Sequence, residues 1–375
     1  MKLDVTIAVT GLNATDNPAP GTGVIRALRA DPQWRGRIVG LAYDALDTAA
    51  HDPELVDEVH LIPYPMAGHG VVLERLLEIH RQTPIDVLVP TLDSELSNFV
   101  RLVPELERHG IRTHLPSAEA LRLASKLELF RFCERNGILS PATVVVESAA
   151  ALKSLPFPFP VAVKGVFHGA ELAKSLEEAE IGFDRVRSRW GSPTLVQQFV
   201  GGEEYDVLML GNHDGAPIGC VPMRKIGITD KGKAWAAVTV NDPKLRQVSM
   251  EIFRALDWRG PLELEFVRSD KTGDYHLIEI NPRFPAWCYL SAGAGQNLPA
   301  ALVRLALGER LQSLPEPQPG VTFVRHAVDI VCPLSVLESL VTRGSVVYTP
   351  SAATPDPKPL ECENVEGGHE HVVRA

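Results

Sequence analysis

The sequence predicts an α/β lobe followed by an α+β half, and three patterns carry that expectation. Strand-like runs at 3–10, 37–43, 59–62 and 85–89 alternate with helical patterns near 22–31, 69–82 and 95–109. Such alternation marks βαβ units in a parallel, Rossmann-like sheet. Beyond residue 115 short strands and glycine turns take over, at 160–165 and 194–207. Residues 260–284, GPLELEFVRSDKTGDYHLIEINPRF, then read as two strands joined by a turn over 269–274. At 375 residues with 45% hydrophobic content, the chain exceeds one ordinary core and can fill two or three.

Composition narrows the class of function. The net charge is −10, and no run of Lys and Arg interleaves with aromatic residues, so no nucleic-acid surface is expected. Cys133, Cys220, Cys288, Cys332 and Cys362 are scattered without a C-x-x-C pair, which suits buried, reduced thiols. The opening MKLDVTIAVT is a short strand interrupted by Asp4, and no later run is long and apolar enough to span a bilayer. A cytoplasmic protein without a membrane partner is expected.

In the first lobe, Gly21-Thr22-Gly23 opens a helix and Asp44 ends the second strand, an echo of a dinucleotide fingerprint. Arg26 occupies the place of the third glycine, and a loop of roughly ten residues with Pro18 and Pro20 replaces the tight turn that the fingerprint needs. A lobe of that architecture without a dinucleotide fits better. Pro90-Thr91-Leu92-Asp93-Ser94-Glu95 leaves the carboxyl end of a strand and enters a helix, where open α/β sheets bind ligands. Asp93 and Glu95 are candidates for holding a substrate amine. Helix capping and dipole complementarity are the competing reading for both.

Ser117 begins a helical run, and from Lys126 a second helix closes at Gly137 and exits through Ile138-Leu139-Ser140-Pro141-Ala142-Thr143. Pro160-Val161-Ala162-Val163-Lys164-Gly165 is a short buried strand ending in a lysine. The flanking Gly165 and Gly169 bracket His168, a surface or phosphate-facing histidine. The stretch 194–207 reads as strand, Gly201-Gly202 turn and strand. Another strand, 218–224, leads to Arg224 and Lys225, only one of which can face inward, and to Lys231 and Lys233. Asp242-Pro243 starts a helix through about Leu256.

In the hairpin, Leu262, Leu264 and Phe266 share one face at period two, which leaves Glu263 and Glu265 on the other. The return strand at the same period places Tyr275, Leu277, Glu279 and Asn281 together. Converging carboxylates repel unless they share a proton or hold a cation, and hard oxygen ligands suit Mg²⁺. Two solvated strand faces are the alternative.

The ending Glu279-Ile280-Asn281-Pro282-Arg283-Phe284 resembles the metal-binding signature of the ATP-grasp superfamily, especially its carbamoyl-phosphate-synthetase-like branch. The order of Lys126, Gly-Ile-x-x-Pro-x-Thr, Lys164, the glycine hinge and the acidic strands resembles that family too. The resemblance implies a two-lobed ATP-grasp fold behind the Rossmann-like lobe, divided as 1–115, 116–215, 216–310 and a C-terminal appendage and tail over 311–375. It implies ATP and two Mg²⁺ ions, with Mn²⁺ as a substitute, held by Glu265, Glu279 and Asn281. Glu263 stays in reserve for Glu265. It further implies Lys126, Lys164 and Arg224 (or Lys225) on the phosphates, Gln198, Phe199 and Val200 on adenine, Glu204 on ribose, and Arg283 with Lys164 at the reacting groups. The implied activity is an ADP-forming ligase that activates a small-molecule or peptide carboxylate as an acylphosphate for an amine. It leaves a homodimer open. Bicarbonate phosphorylation, ATP binding without turnover and a dinucleotide-dependent oxidoreductase are the alternatives. Pro285, Trp287 and Tyr289 line an acceptor pocket or a core, 321–348 read as strand–helix–strand, and the Pro-rich 349–359 leads to a polar tail in which His369 and His371 justify no metal site.

Overall fold

A computed structural model describes residues 3–14, 18–166, 169–230 and 232–348. The expectations for His168, Lys231, Cys362, His369, His371 and the segment from 349 onward lie outside the described residues. The first lobe contains β1 (Thr6–Val9), α1 (Pro20–Arg29), β2 (Arg37–Ala42), β3 (Glu58–Leu61), α2 (His69–Gln82), β4 (Val87–Val89) and α3 (Asp93–Arg108). The four strands pair in parallel in the order β3-β2-β1-β4. Both faces are covered, because alternate residues of β1 enter different cores: Ile7 and Val9 pack on the side of Val24 and Ile25, Ala8 on the side of Leu76 and Phe99. That double burial is why the strands read as near-continuous apolar runs.

Two helices, α4 (Ala118–Ala124) and α5 (Lys126–Asn136), lead out of this lobe. Ser117 caps α4 by accepting from the Ala120 amide, and α5 closes at Gly137 in the left-handed region, as its sequence predicts. Next come β5 (Thr143–Val146), β6 (Val161–Gly165), β7 (Ala170–Ala173), α6 (Leu176–Trp190) and β8 (Thr194–Gln198). They form an antiparallel sheet ordered β5-β8-β6-β7, with α6 packed on it around Val161, Val163, Phe183 and Val196.

The remaining strands, β9 (Gly202–Gly211), β10 (Pro217–Ile228), β11 (Ala234–Thr239), β12 (Gly260–Ser269) and β13 (Tyr275–Asn281), build a larger antiparallel sheet in the order β13-β12-β9-β10-β11. The helix α7 (Pro243–Ala255) covers one face. The short α8 (Tyr289–Gly293) and α9 (Leu298–Ala306) lie on the other, where Leu208, Val221 and Met223 share a core with Val24 and Ile25 of the first lobe. The expected division at 215/216 cuts the β9–β10 pair, whose ladder runs from Gly211 to Tyr205. We therefore place the boundary at 199–201, between β8 and β9.

The segment 321–348 folds as strand, helix, strand: β14 (Thr322–Val324), α10 (Leu334–Arg343) and β15 (Ser345–Val347). It is less an appendage than a strap. β14 extends the large sheet beside β11, and β15 pairs antiparallel with β3 at the edge of the first sheet. Among the described residues no helix is long and apolar enough to cross a membrane.

Leu340 is the buried anchor of α10, fully enclosed in the core that the first lobe shares with the large sheet. Leu340→Ala should cost about 2–5 kcal/mol of strap stability through the cavity it leaves. Limited proteolysis should then cut within 325–348 before the rest of the chain, and an unchanged cleavage pattern would show that the strap does not depend on this contact.

Candidate active site

The hairpin expected to be acidic is β12 and β13, and their register sets Glu263 opposite Asn281 and Glu265 opposite Glu279. Leu262, Leu264 and Phe266 are fully buried behind them. One expectation fails here. The period-two pattern placed Tyr275 and Leu277 with Glu279, but the register slips between Glu265 and Phe266, and Ile278 is the extra residue of a β-bulge. Tyr275 and Leu277 therefore enter the apolar core with Ile280, and the bulge turns Glu279 and Asn281 to the other side. An unbroken strand would have aimed Glu279 into that core.

On the acidic face Asn281 donates through Nδ2 to Glu263 Oε2 at 2.8 Å and to Glu265 Oε1 at 2.7 Å. Trp287 donates to the other oxygen of Glu263. Burial, with the Glu265 charge beside it, pushes the Glu263 carboxyl up to about 7. Burial pushes Glu265 up too, but Lys225 and Asn281 outweigh it and hold that carboxyl below the usual range. Of the two acids Glu265 is thus the more readily ionised, the better cation ligand.

Lys225 is the residue on which this face turns. Its Nζ lies 3.0 Å from Glu204 Oε2 and 3.3 Å from both Glu265 Oε2 and Asp206 Oδ1. Burial alone would strip its proton, but Glu265, Asp206 and Glu204 raise its pKa well above the ordinary value. Arg224, expected on the phosphates, points the other way. Its register partners are Tyr205 and then Phe266, on the face covered by α7, and its guanidinium pairs with Glu203 at 2.7 Å. Strand alternation thus gives the inward position to Lys225. Asp206 was not anticipated from the sequence, although a lone acid between Tyr205 and the apolar run Val207–Leu210, in a strand that also carries Glu204 at period two, was a usable signal.

From α5, Lys126 Nζ reaches Glu279 Oε1 at 3.1 Å, and from β6, Lys164 donates to Gln197 Oε1 at 2.7 Å. Burial lowers the Lys164 pKa, an effect that Glu279 opposes and Lys126 adds to. The two lysines line a narrow cleft with Thr143, Gln197, Leu277 and Ile278, between the two antiparallel sheets. At its hinge the Gln198 amide donates to Ala142 O at 2.8 Å and the Phe199 amide to Pro160 O at 3.2 Å, so both backbone N–H groups are engaged within the protein. Val200 is half-buried beside them. Glu204, expected on ribose, is committed at least in part to Lys225.

Across the cleft, Arg283 meets the first lobe: its Nε and Nη2 lie 2.8 and 2.7 Å from Asp93 Oδ2. Glu95 does something else. It is 1% exposed and accepts from Thr10 Oγ1, Tyr43 OH and the Thr91 and Leu92 amides. Four donors occupy the acceptor capacity of a carboxylate. The substrate reading of Glu95 is therefore corrected to a capping one, while Asp93 stands exposed beside Arg283.

Magnesium, which the fold implies, fits this donor set in one way. Among the described residues no three acidic, histidine or cysteine side chains converge as a ready-made cage. Two carboxylates and an amide facing each other across one strand pair are what Mg²⁺ uses when nucleotide phosphates and water complete its shell.

A sequence profile for the family described as ATP-grasp in the biosynthetic pathway with Ter operon matches residues 191–327. The N-terminal section of the carbamoyl phosphate synthase large chain from Aquifex aeolicus is 26% identical, over 78% of this chain and 55% of its own. The corresponding section from Methanopyrus kandleri is 24% identical over 81% of this chain and 56% of its own. This chain thus spans little more than half the length of these curated relatives. Biotin carboxylase from Campylobacter jejuni, solved as a β,γ-ATP complex, superposes with a TM-score of 0.65 at 17% identity, over 83% of this chain and 72% of that one. N5-carboxyaminoimidazole synthetase from Staphylococcus aureus, complexed with ADP, superposes at 0.61 with 14% identity, over 84% and 80%. The fold is the ATP-grasp fold.

Glu95→Gln turns an amide NH₂ toward a ring of donors and should cost about 1–3 kcal/mol of stability without changing nucleotide affinity. A shift in a substrate Michaelis constant with an unchanged melting temperature would return Glu95 to the substrate. Lys225→Met strands three acids and should destabilise by about 3–5 kcal/mol, the cost of breaking a buried pair. A melting temperature equal to wild type would mean that the three acids do not depend on Lys225.

Proposed function

We propose that this chain, which has the ATP-grasp fold, is an ADP-forming ligase that phosphorylates a carboxylate and hands the resulting acylphosphate to an amine. The observation that carries this reading is a chain of charges beginning at the cleft that Lys126 and Lys164 line: Lys126 meets Glu279, Glu279 stands opposite Glu265, and Glu265 meets Lys225. Phosphoryl transfer asks little covalent chemistry of a protein; it asks for alignment and for neutralisation of charge. Lys126 and Lys164 supply cations for the phosphates, from a helix start and a strand end that cannot drift. Carbonyls at Gln198 and Phe199, with Val200, form the strip where adenine lies, and Glu204 serves the ribose where Lys225 leaves it an acceptor. Arg283 holds the acceptor carboxylate beside Asn281. One carboxylate oxygen then attacks the γ-phosphorus as the bond to the bridging oxygen breaks and ADP departs. Mg²⁺, held by Glu265, Glu279 and Asn281, supplies charge neutralisation on the phosphates when bound.

Bicarbonate as the phosphoryl acceptor is the second reading, favoured by a likeness to the biotin carboxylase domain of Hydrogenobacter thermophilus 2-oxoglutarate carboxylase, which was solved with MgADP and bicarbonate. ADP release measured with pairs of organic acids and amines, against bicarbonate with the same amines, separates the two. Release dependent on bicarbonate alone sinks the first reading.

Glu279→Gln should lower turnover at least about 100-fold at saturating Mg²⁺ and ATP, with the fold intact by circular dichroism. Near-wild-type turnover would remove the metal assignment. Lys164→Ala should both raise the Michaelis constant for ATP and slow transfer, since its ammonium meets phosphate in ground and transition states alike. An unchanged ATP response would leave Lys164 as no more than the partner of Gln197.

A further inference from the structure

Asn281 is the one neutral member of the set Glu265, Glu279 and Asn281, and a carboxamide serves a cation with only one of its two ends. Oδ1 is a ligand and the NH₂ is not. A half-turn of the amide exchanges the two, so the metal reading requires that something fix its orientation. In the structure Nδ2 donates to two acids, Glu263 Oε2 at 2.8 Å and Glu265 Oε1 at 2.7 Å, which leaves Oδ1 facing Arg283 Nη2 at 3.3 Å. Glu265 is itself assigned to the metal and also meets Lys225, so its hold on Nδ2 depends on what fills the site. Glu263 has no such second duty. It is 4% exposed, and its other oxygen, Oε1, accepts from Trp287 Nε1 at 2.5 Å. Both ends of this carboxylate are thereby engaged, one with the amide it steers and one with an indole that has no other N–H to give.

The indole is in turn held from outside the hairpin. Trp287 is buried in a turn where the Cys288 amide donates to Pro285 O at 3.0 Å and the Leu290 amide to Trp287 O at 2.9 Å. The helix α1 of the first lobe lies directly against that turn: a Cβ on Gly23 would stand 2.8 Å from Cys288 Sγ and 3.2 Å from Ala286 O. Trp287 is thus mounted where the first lobe meets the large sheet. We propose that Trp287 is a positioning residue for the metal site, holding the Asn281 amide through Glu263 so that Oδ1 is available to the cation. This rests on the metal assignment above and adds a residue that touches neither metal nor nucleotide. A phenyl ring in place of the indole leaves Glu263 Oε1 buried without a partner, a state that is relieved when the carboxylate turns away from Asn281. Glu263 is on this account a support for the ligand set and not a member of it.

The test reads metal affinity and not turnover. The full chain is titrated with Mn²⁺ in the presence of ADP, the free ion being followed by electron paramagnetic resonance, and ADP affinity in EDTA and the melting temperature are measured in parallel. Trp287→Phe keeps an aromatic ring in the core and removes the N–H. It should weaken Mn²⁺ binding at least about 10-fold, the scale of an outer-shell partner, with ADP affinity in EDTA unchanged. Glu263→Gln should weaken it similarly, because its NH₂ then opposes an N–H of Trp287 or of Asn281. In the double variant that opposition is relieved and an amide oxygen remains for Asn281, so the combined loss should be smaller than the product of the single losses. A Trp287→Phe protein with wild-type Mn²⁺ affinity, whatever its melting temperature, makes Trp287 a core residue only and overturns the inference. Single losses that multiply in the double variant overturn it as well. Should Trp287→Phe fail to fold, Glu263→Gln decides, and unchanged Mn²⁺ affinity there overturns the inference while leaving the metal assignment standing. If the wild-type ADP complex takes up no Mn²⁺, the metal assignment fails and this inference with it.

Discussion

A buried ammonium among three carboxylates is the interaction on which this architecture depends. The central strands of the large sheet are apolar on both faces, and such a setting penalises any ionised group. Glu204, Asp206 and Glu265 nevertheless stand on one side of it, in register across β9 and β12, because Lys225 stands among them from β10. The cation is itself stable there only because of the acids. Neither half of the arrangement is tolerable alone, so the acidity needed near a polyphosphate is built into the sheet interior and not added on a loop.

The next constraint is one of parity. A strand alternates faces with period two, and a single extra residue reverses every assignment beyond it. Ile278 is that residue. It allows β13 to give Tyr275, Leu277 and Ile280 to the apolar core while Glu279 and Asn281 look across the cleft. Lys126 and Lys164 then approach Glu279 from a helix terminus and a strand terminus, both rigid mounts.

Much of this was readable in advance, and the exceptions have physical causes. Apolar periodicity located the strands of the first lobe, the α5 closure at Gly137 and the β12–β13 hairpin, because burial of one face imposes the pattern. Alternation could not reveal a bulge, since the pattern on either side of Ile278 is the same with or without it. It could say that only one of Arg224 and Lys225 faces inward, but the choice needed the register with Tyr205. Glu95 carried the signals of a ligand and of a cap equally. Only the four donors around it, brought from Thr10, Tyr43 and the Thr91–Leu92 turn, distinguish them, and all four donor residues are distant or loop-borne. The strap of β14, α10 and β15 was legible as elements but not as a tie between two sheets, because edge pairing leaves no mark in either partner's sequence.

The way the cores are divided has a mechanical meaning. The first lobe and the large sheet share one apolar interior, and α5 belongs with the large sheet, whereas the sheet of β5–β8 has an interior of its own with α6. The first lobe and the large sheet are thus tied through a continuous core, on which Lys126, Lys225, Glu279 and Arg283 are mounted, whereas Lys164 stands on a sheet with an interior of its own, joined to the rest through the short connections at 137–143 and 199–201.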